Sequence, residues 1–132
     1  MSPEWVGSKT VCLDFDGVLA YYTEWKGEDV IGEPVLGGFR LAELLHDAGI
    51  DLVVHTCRLN GDFPDVDYDT QYRKIREWLD THGLTYVRLA GIGEGKPFAH
   101  CYVDDRGVHF PPNCIHCAEA VYSTVMGMLY KC

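Results

Sequence analysis

Two carboxylates end the first hydrophobic run of the chain. Asp14 and Asp16 lie on either side of Phe15 and are followed by Gly17, within the stretch VCLDFDGVL at residues 11–19. Residues i and i+2 of a strand point to the same side, and a glycine allows a sharp turn just beyond them. Asp14 is therefore placed to attack a phosphorus atom as a nucleophile, and Asp16 to give and take a proton.

A second acidic pair, Asp104-Asp105, follows a later hydrophobic run. If the first and fourth strands are neighbours, four carboxylates converge and repel one another. A divalent cation relieves that repulsion, and hard oxygen ligands suit Mg²⁺. The sequence therefore predicts Mg²⁺ as the cofactor, held by Asp14, Asp16, Asp104 and Asp105. Lys96, just before the fourth strand, would supply a second positive charge.

The second hydrophobic run leads into Thr56-Cys57-Arg58. Ligands of open parallel α/β sheets bind at the carboxyl ends of the strands, so polar residues there are candidates for a site. We predict phosphate binding by this segment together with Lys96. Arg58 either binds the phosphate, which suits a guanidinium, or forms a salt bridge with an aspartate of the following loop. Arg106 is expected to pair with nearby carboxylates.

The elements that must position these residues alternate between strands and helices. This alternation predicts an α/β fold: a three-layer, Rossmann-like domain with a mostly parallel sheet of about five strands and helices on both faces. The predicted strands are 10–15, 50–55, 84–89 and 100–103, with 108–110 as a fifth. The predicted helices are 36–48, 69–82 and a last helix with Asn113 as its N-cap.

Each predicted helix carries an apolar stripe. The stripes are Leu41, Leu44, Leu45 and Ala48; Tyr72, Ile75, Trp78 and Leu79; and Ile115, Ala118, Val121, Tyr122, Val125 and Leu129.

Two segments lie outside the alternation. Residues 20–38 are rich in glycine and aromatic residues and predict a short flap, and 59–67 predict a loop after the second strand. In the flap, Tyr21, Tyr22 and Trp25 either stack on a substrate ring or attach the flap to the domain. With 132 residues, the chain is expected to form one domain without a separate cap.

Composition restricts the partners. The formal charge is −9, from 11 basic and 20 acidic residues. Such a charge opposes non-specific binding to nucleic acid or to an anionic membrane, but it allows a local site for a small anion. No apolar run approaches the length of a membrane-spanning helix, and Met1–Trp5 do not resemble the start of a signal peptide. A cytoplasmic location is therefore expected.

Six cysteines raise the question of disulfides or zinc. Cys12, Cys57 and Cys101 lie in or beside strand-like runs, which favours small buried thiols in a reducing compartment. Cys114 and Cys117 have the C-x-x-C spacing of a metal site, but no second such pair exists to complete a structural zinc.

The order of these motifs resembles the haloacid dehalogenase-like superfamily of phosphohydrolases. VCLDFDGV resembles its first motif, DLVVHTCR its second, and GKPFAHCYVDD its third and fourth. The resemblance implies Asp14 as nucleophile, Asp16 as acid and base, Thr56 as a phosphoryl ligand and Lys96 as the group that steadies phosphate and nucleophile. It also implies Mg²⁺ binding by Asp14, Asp104 and the Asp16 carbonyl, with Asp105 farther out and paired with Lys96.

The resemblance further implies a capless Mg²⁺-dependent phosphomonoesterase that forms an aspartyl-phosphate. The expected substrate is a small phosphorylated metabolite or a nucleotide. A nucleic-acid 3′-end phosphatase is the alternative, because VDDR at 103–106 looks similar to part of polynucleotide kinase-phosphatase domains. A phosphoryl-accepting signalling module and an inactive binding scaffold are further alternatives. The open site admits a bulky substrate, unless a neighbouring subunit of an oligomer covers it.

Overall fold

The protein is an α/β fold with a parallel four-stranded sheet of order β3-β2-β1-β4. The computed structural model describes residues 9–22, 26–27 and 30–130, so the predictions for Met1–Trp5 and Trp25 lie outside the described residues. The strands are β1 (Thr10–Asp14), β2 (Asp51–His55), β3 (Arg88–Leu89) and β4 (Cys101–Val103), and the helices are α1 (Leu36–Asp47), α2 (Tyr68–Thr81) and α3 (Ala118–Leu129).

The first and fourth strands are neighbours, as predicted from the carboxylate pattern. Strand β1 pairs in parallel with β2 on one side and with β4 on the other. Within the described residues, four strands form rather than about five, because residues 108–110 have no strand pairing; β3 is limited to two residues. The carboxyl ends of β1, β2 and β4 therefore lie side by side.

One face of the sheet carries the main core. Leu13 and Val54 of the strands, and Phe15 just beyond β1, pack against Ile75 and Leu79 of α2, all with no exposed surface. The stripe predicted for this helix is confirmed: Tyr72 and Trp78 are partly buried beside it.

Helix α1 covers the same face, and its predicted stripe is confirmed in part: Leu41 and Leu45 pack against the core, whereas Leu44 and Ala48 are exposed. Leu44 is 49% exposed, whereas Ala42 is fully buried. The first turn of the helix lies close to the preceding loop, since a Cβ at Gly38 would overlap the carbonyl oxygen of Val18. Gly49 ends the helix with a φ of 80°, as its position in the sequence predicts.

The second face of the sheet has only a small cluster of buried residues. Cys12 and Val53 of the strands pack with Ala90 and Ala99 of the connection between β3 and β4. The crossovers through α1 and α2 run in the same direction along the sheet, so right-handed connections place both helices on the first face. The return from β3 to β4 contains no helix. A helical layer on the second face is therefore not seen among the described residues.

The last helix begins later than predicted. It starts at Ala118 with Cys117 as N-cap, and Asn113 lies in the turns before it. None of the α3 residues is buried, and Ile115, expected on its inward stripe, is 84% exposed. The amphipathic pattern of this helix therefore does not correspond to a buried face in this structure.

The cysteines differ in part from the prediction. Cys114 and Cys117 form a disulfide, so neither thiolate is available for zinc. Cys12 is a buried free thiol as expected, but Cys57 and Cys101 are exposed. None of the helices in the described part of the chain combines the length and apolarity needed to cross a membrane.

Candidate active site

The strand ends bring the predicted acidic residues to one edge of the sheet. Asp14 is in register with His55, and Leu13 is in register with Val103. Asp14, the end of β2 and the start of the acidic pair after β4 therefore stand at the same height. The convergence expected from the sequence is present in the fold.

Asp14 is a carboxylate of this edge whose surroundings disfavour its charged form. Its Oδ1 accepts a hydrogen bond of 2.8 Å from the Phe15 backbone N–H. The pKa of Asp14 is raised to about 6, chiefly by burial and also by the negative charges of Asp105, Asp104 and Asp16, against the opposing effect of that hydrogen bond. This carboxylate is short of positive charge.

The acidic pair after β4 is held by the local backbone. Asp104 Oδ1 accepts hydrogen bonds from the backbone N–H of Arg106, at 3.0 Å, and from that of Gly107. The Asp105 carboxylate lies against Gly17, where a Cβ would overlap it, and Gly17 has a φ of 90°. The glycine after Asp16 is therefore needed both for its backbone conformation and for the space that Asp105 occupies.

Asp16 is part of a two-point ion pair with Arg58. Arg58 Nε donates to Asp16 Oδ2 at 2.7 Å, and a terminal guanidinium nitrogen donates to Asp16 Oδ1 at 3.0 Å. The Arg58 side chain is only 4% exposed and that of Asp16 19%. A salt bridge was one of the two outcomes predicted for Arg58, but its partner is the predicted acid and base rather than an aspartate of the 59–67 loop.

Arg58 also connects the site to the flap. The same nitrogen that reaches Asp16 Oδ1 donates to the Val30 carbonyl oxygen at 2.9 Å. Within the described parts of the flap, the Tyr21 N–H donates to the Glu33 carbonyl at 2.9 Å, and Ala20 bridges to Pro34. The flap is thus joined to the edge of the sheet through one buried guanidinium.

Thr56 and Cys57 occupy the end of β2 in different ways. Thr56 is 3% exposed, and its Oγ1 accepts a hydrogen bond of 3.1 Å from the Arg58 N–H, which caps a short 3-10 helix at Cys57–Leu59. Both residues line the same cavity as Asp14. The hydroxyl of Thr56 therefore has a structural role as a cap and also lies at the cavity floor.

Lys96 is on the Asp14 side of the sheet but does not line that cavity. Its ammonium nitrogen lies 4.1 Å from the centre of the Tyr102 ring, a cation–π contact. Its charge also opposes the effect of burial, which raises the pKa of the Cys12 thiol. In the arrangement of the described residues, the expected pairing of Lys96 with Asp105 is not formed.

A cavity of about 610 Å³ opens over Asp14, Asp16 and Thr56. Of its walls, only Tyr22 was considered for contact with a substrate: the 59–67 loop was assigned only as a loop, although its place after β2 was a usable signal. Arg106, expected to pair with carboxylates, has its guanidinium 5.5 Å from the centre of the Tyr22 ring. The wall residues are Tyr22, Phe63, Pro64, Asp65, Val66, Tyr68, Gln71 and Arg106.

The carboxylates of the site fit Mg²⁺ better than a metal ion whose ligands all come from protein side chains. Among the residues described, no three Asp, Glu, His or Cys side chains are arranged to hold a metal ion. Mg²⁺ is commonly bound by one or two carboxylates and keeps water or phosphate oxygens as its other ligands. Asp14 ends β1 and Asp104 follows the paired strand β4 at the same height, and the pKa of Asp14 is raised by burial and by the nearby negative charges.

Comparison with known proteins supports the fold. No family model and no curated protein matches the chain. The chain is similar to the solved structure of a conserved protein from Bacteroides thetaiotaomicron, with a TM-score of 0.53 and 18% sequence identity, over 96% of this chain and 93% of that one. This likeness concerns the α/β fold alone, so the resemblance to the haloacid dehalogenase-like superfamily stays a prediction.

Proposed function

We propose that this protein is a Mg²⁺-dependent phosphomonoester hydrolase with a haloacid dehalogenase-like fold, acting in the cytoplasm on a small phosphorylated metabolite or nucleotide. One observation carries the proposal. Asp14, Asp16 and Thr56 line one cavity, and the Asp104-Asp105 pair follows the strand next to Asp14. This is the set of groups that transfer of a phosphoryl group to a carboxylate needs.

In the first step, Asp14 attacks the phosphorus atom. Its Oδ1 is held by the Phe15 N–H, so we assign the attack to Oδ2. The new bond between Oδ2 and phosphorus forms as the ester bond breaks, and the leaving oxygen takes a proton from the Asp16 carboxyl group. The products are an aspartyl-phosphate and the free alcohol, with Asp16 left as a carboxylate.

In the second step, Asp16 removes a proton from water, and the oxygen of that water attacks phosphorus. Inorganic phosphate leaves and Asp14 is regenerated as a carboxylate. Arg58 bonds to both oxygens of Asp16. It therefore has to release one of these contacts whenever Asp16 carries the proton, and the phosphate of the substrate is an alternative partner for the released nitrogen.

A bound Mg²⁺ would be held by Asp14, Asp104 and the Asp16 carbonyl and would neutralise charge on the transferring phosphoryl group. Asp105 is assigned the role of an outer partner, since it is packed against Gly17. Lys96 is assigned to the phosphate, which it would reach by leaving the Tyr102 ring.

The test is hydrolysis of an aryl phosphate with Mg²⁺ by wild type and by Asp14→Asn. We expect a loss on the order of 10³-fold or more, because the nucleophile is removed while its shape is kept. Asp51→Asn is the control: Asp51 is an exposed carboxylate at the opposite end of β2. Comparable activity of wild type and Asp14→Asn would overturn the nucleophile assignment.

A further inference from the structure

The cavity over Asp14 is larger than hydrolysis of a phosphate group requires. Its volume of about 610 Å³ is within the range of pockets that enclose whole organic ligands, roughly 300–1,000 Å³. Asp14 and Thr56 account for the end where the phosphate would sit. The remaining space therefore belongs to the group that the phosphate is attached to.

The walls of that space are mainly apolar and aromatic, with Asp65, Gln71 and Arg106 as their polar members. Phe63, Val66 and Tyr68 stand on one side, contributed by the 59–67 loop and the first residue of α2. Tyr22, with the Arg106 guanidinium over its ring, stands with them in the lining. Aromatic rings and a guanidinium plane are surfaces on which a flat ring stacks.

The aromatic wall is held in place before any ligand arrives. The Phe63 N–H donates to the Tyr68 hydroxyl oxygen at 2.9 Å, which ties the loop to the start of α2. Asp67 caps that helix by accepting hydrogen bonds from the Thr70 N–H and hydroxyl group, at 3.1 and 2.8 Å. A wall fixed in this way loses little conformational freedom on binding.

Phe63 is the most informative residue of the wall. Its side chain is 66% exposed although it lines the cavity. Its ring is therefore available for contact with a ligand and contributes little to the core, so it can be changed without unfolding the protein.

We propose that this cavity selects phosphomonoesters whose leaving group carries a planar aromatic or heteroaromatic ring of about nucleoside size, and that Phe63, Tyr68 and Tyr22 determine this specificity. The proposal rests on the hydrolase function above and adds the class of substrate to it. A sugar phosphate that carries no aromatic ring leaves the aromatic end of the cavity filled with water and is a poorer substrate.

The decisive measurement compares adenosine 5′-monophosphate with ribose 5-phosphate. The two esters share the phosphate, the sugar and the leaving oxygen, so a difference in kcat/KM reports contact with the base. We expect wild type to prefer the nucleotide by roughly 10- to 100-fold, the range that stacking of one base on aromatic side chains supports.

Substitutions at Phe63 test whether its ring produces the preference for the nucleotide over ribose 5-phosphate. Phe63→Ala should reduce kcat/KM for the nucleotide by about 10-fold and leave that for ribose 5-phosphate within about twofold. Phe63→Tyr, which keeps the ring, should restore the preference. Phe110→Ala is the control, because Phe110 is similarly exposed at 59% but lies outside the cavity lining. Equal kcat/KM for the two esters in wild type, or an equal loss for both in Phe63→Ala, would overturn the proposal.

Binding to Asp14→Asn separates this proposal from the hydrolase function. Calorimetric titration of that variant with the two esters measures ring selection without turnover. If no ester is hydrolysed but the nucleotide binds at least 10-fold more tightly than ribose 5-phosphate, the ring site stands and the hydrolase function is wrong. If both esters are hydrolysed and bound equally, the hydrolase function stands and the ring site is wrong.

Discussion

The two sides of the candidate site, one next to β2 and the other next to β4, are built in opposite ways. On the side of β2, Asp16 is bonded at both oxygens by the buried Arg58, and the same guanidinium reaches the flap. On the side of β4, Asp14 faces the charges of Asp104 and Asp105, and its pKa is raised to about 6. The first side is complete within the protein. The second has an excess of negative charge that a cation would stabilise.

This difference separates two roles that the motif D-x-D combines. Asp16 receives its compensation from a residue 42 positions away, which fixes its orientation. Asp14 receives one backbone hydrogen bond and is otherwise destabilised as a carboxylate. In the proposed function, Asp16 is the preorganised acid and base and Asp14 the poorly compensated nucleophile, an arrangement that suits phosphoryl transfer with Mg²⁺.

The largest expected effect on stability comes from removing the ion pair between Arg58 and Asp16 on the β2 side. Arg58→Ala leaves the Asp16 carboxylate without its partner and should lower the free energy of unfolding by about 3 kcal/mol. Arg40→Ala is the matched control: Arg40 pairs with Glu43, but the two side chains are 61% and 58% exposed. Its loss should be below about 1 kcal/mol. Urea denaturation measures both, and equal losses would contradict the contrast drawn above.

A smaller effect on stability is expected when Mg²⁺ binds on the β4 side, which has the excess of negative charge. Mg²⁺ at 100 times its dissociation constant should raise the free energy of unfolding by about 2.7 kcal/mol, because it binds the folded state alone. Asp104→Asn should abolish most of this gain, while Asp51→Asn should keep it. Thermal unfolding with and without Mg²⁺ measures the gain for each protein. A gain that survives Asp104→Asn would show that the ion binds elsewhere.

Gly17→Ala tests the packing that places Asp105 on the charged side. The substitution forces a side chain into a left-handed conformation and against the Asp105 carboxylate, and it should cost roughly 1–3 kcal/mol. Gly49→Ala is the control, because Gly49 also has a positive φ but has nothing within 4 Å of the added Cβ. Only Gly17→Ala should also weaken Mg²⁺ binding. If both variants bind Mg²⁺ as wild type does, the position of Asp105 does not matter for the ion.

The smallest effect concerns pH in the absence of divalent ions. The pKa of Asp14 is about 6 in the folded protein against 3.8 for an ordinary aspartate. Between these values the folded state binds more protons at this group, so its contribution to stability falls as pH rises from about 4 to about 6. Other carboxylates with lowered pKa values, such as Asp67 and Glu94, act in the opposite direction.

The quantity to measure is therefore the difference in the free energy of unfolding between wild type and Asp14→Asn. Urea denaturation in EDTA gives it at each pH across this range. The stability advantage of Asp14→Asn over wild type should grow as pH rises, because asparagine stays neutral. A constant difference between the two proteins would show that the pKa of Asp14 is not raised.

Much of the site was determined by the sequence itself. Hydrophobic runs followed by Asp14, Thr56 and Asp104 predicted strands whose carboxyl ends meet, and β1 does lie between β2 and β4. Helices α1 and α2 were located to within one residue at each end, because periodicity and terminal glycines are local signals. The prediction of a cation near Asp14 also came from residue types, since like charges on neighbouring strands repel whatever the details of packing.

The tertiary structure decided which charges are actually paired. Arg58 and Asp16 are adjacent only because β1 and β2 are in register, and Lys96 lies over Tyr102 because its loop crosses the second face of the sheet. The aromatic wall of the cavity likewise depends on how the 59–67 loop turns back over the strand ends. Periodicity and spacing encode local conformation, but the partner of a side chain depends on which distant backbones meet, and that is settled when the core packs.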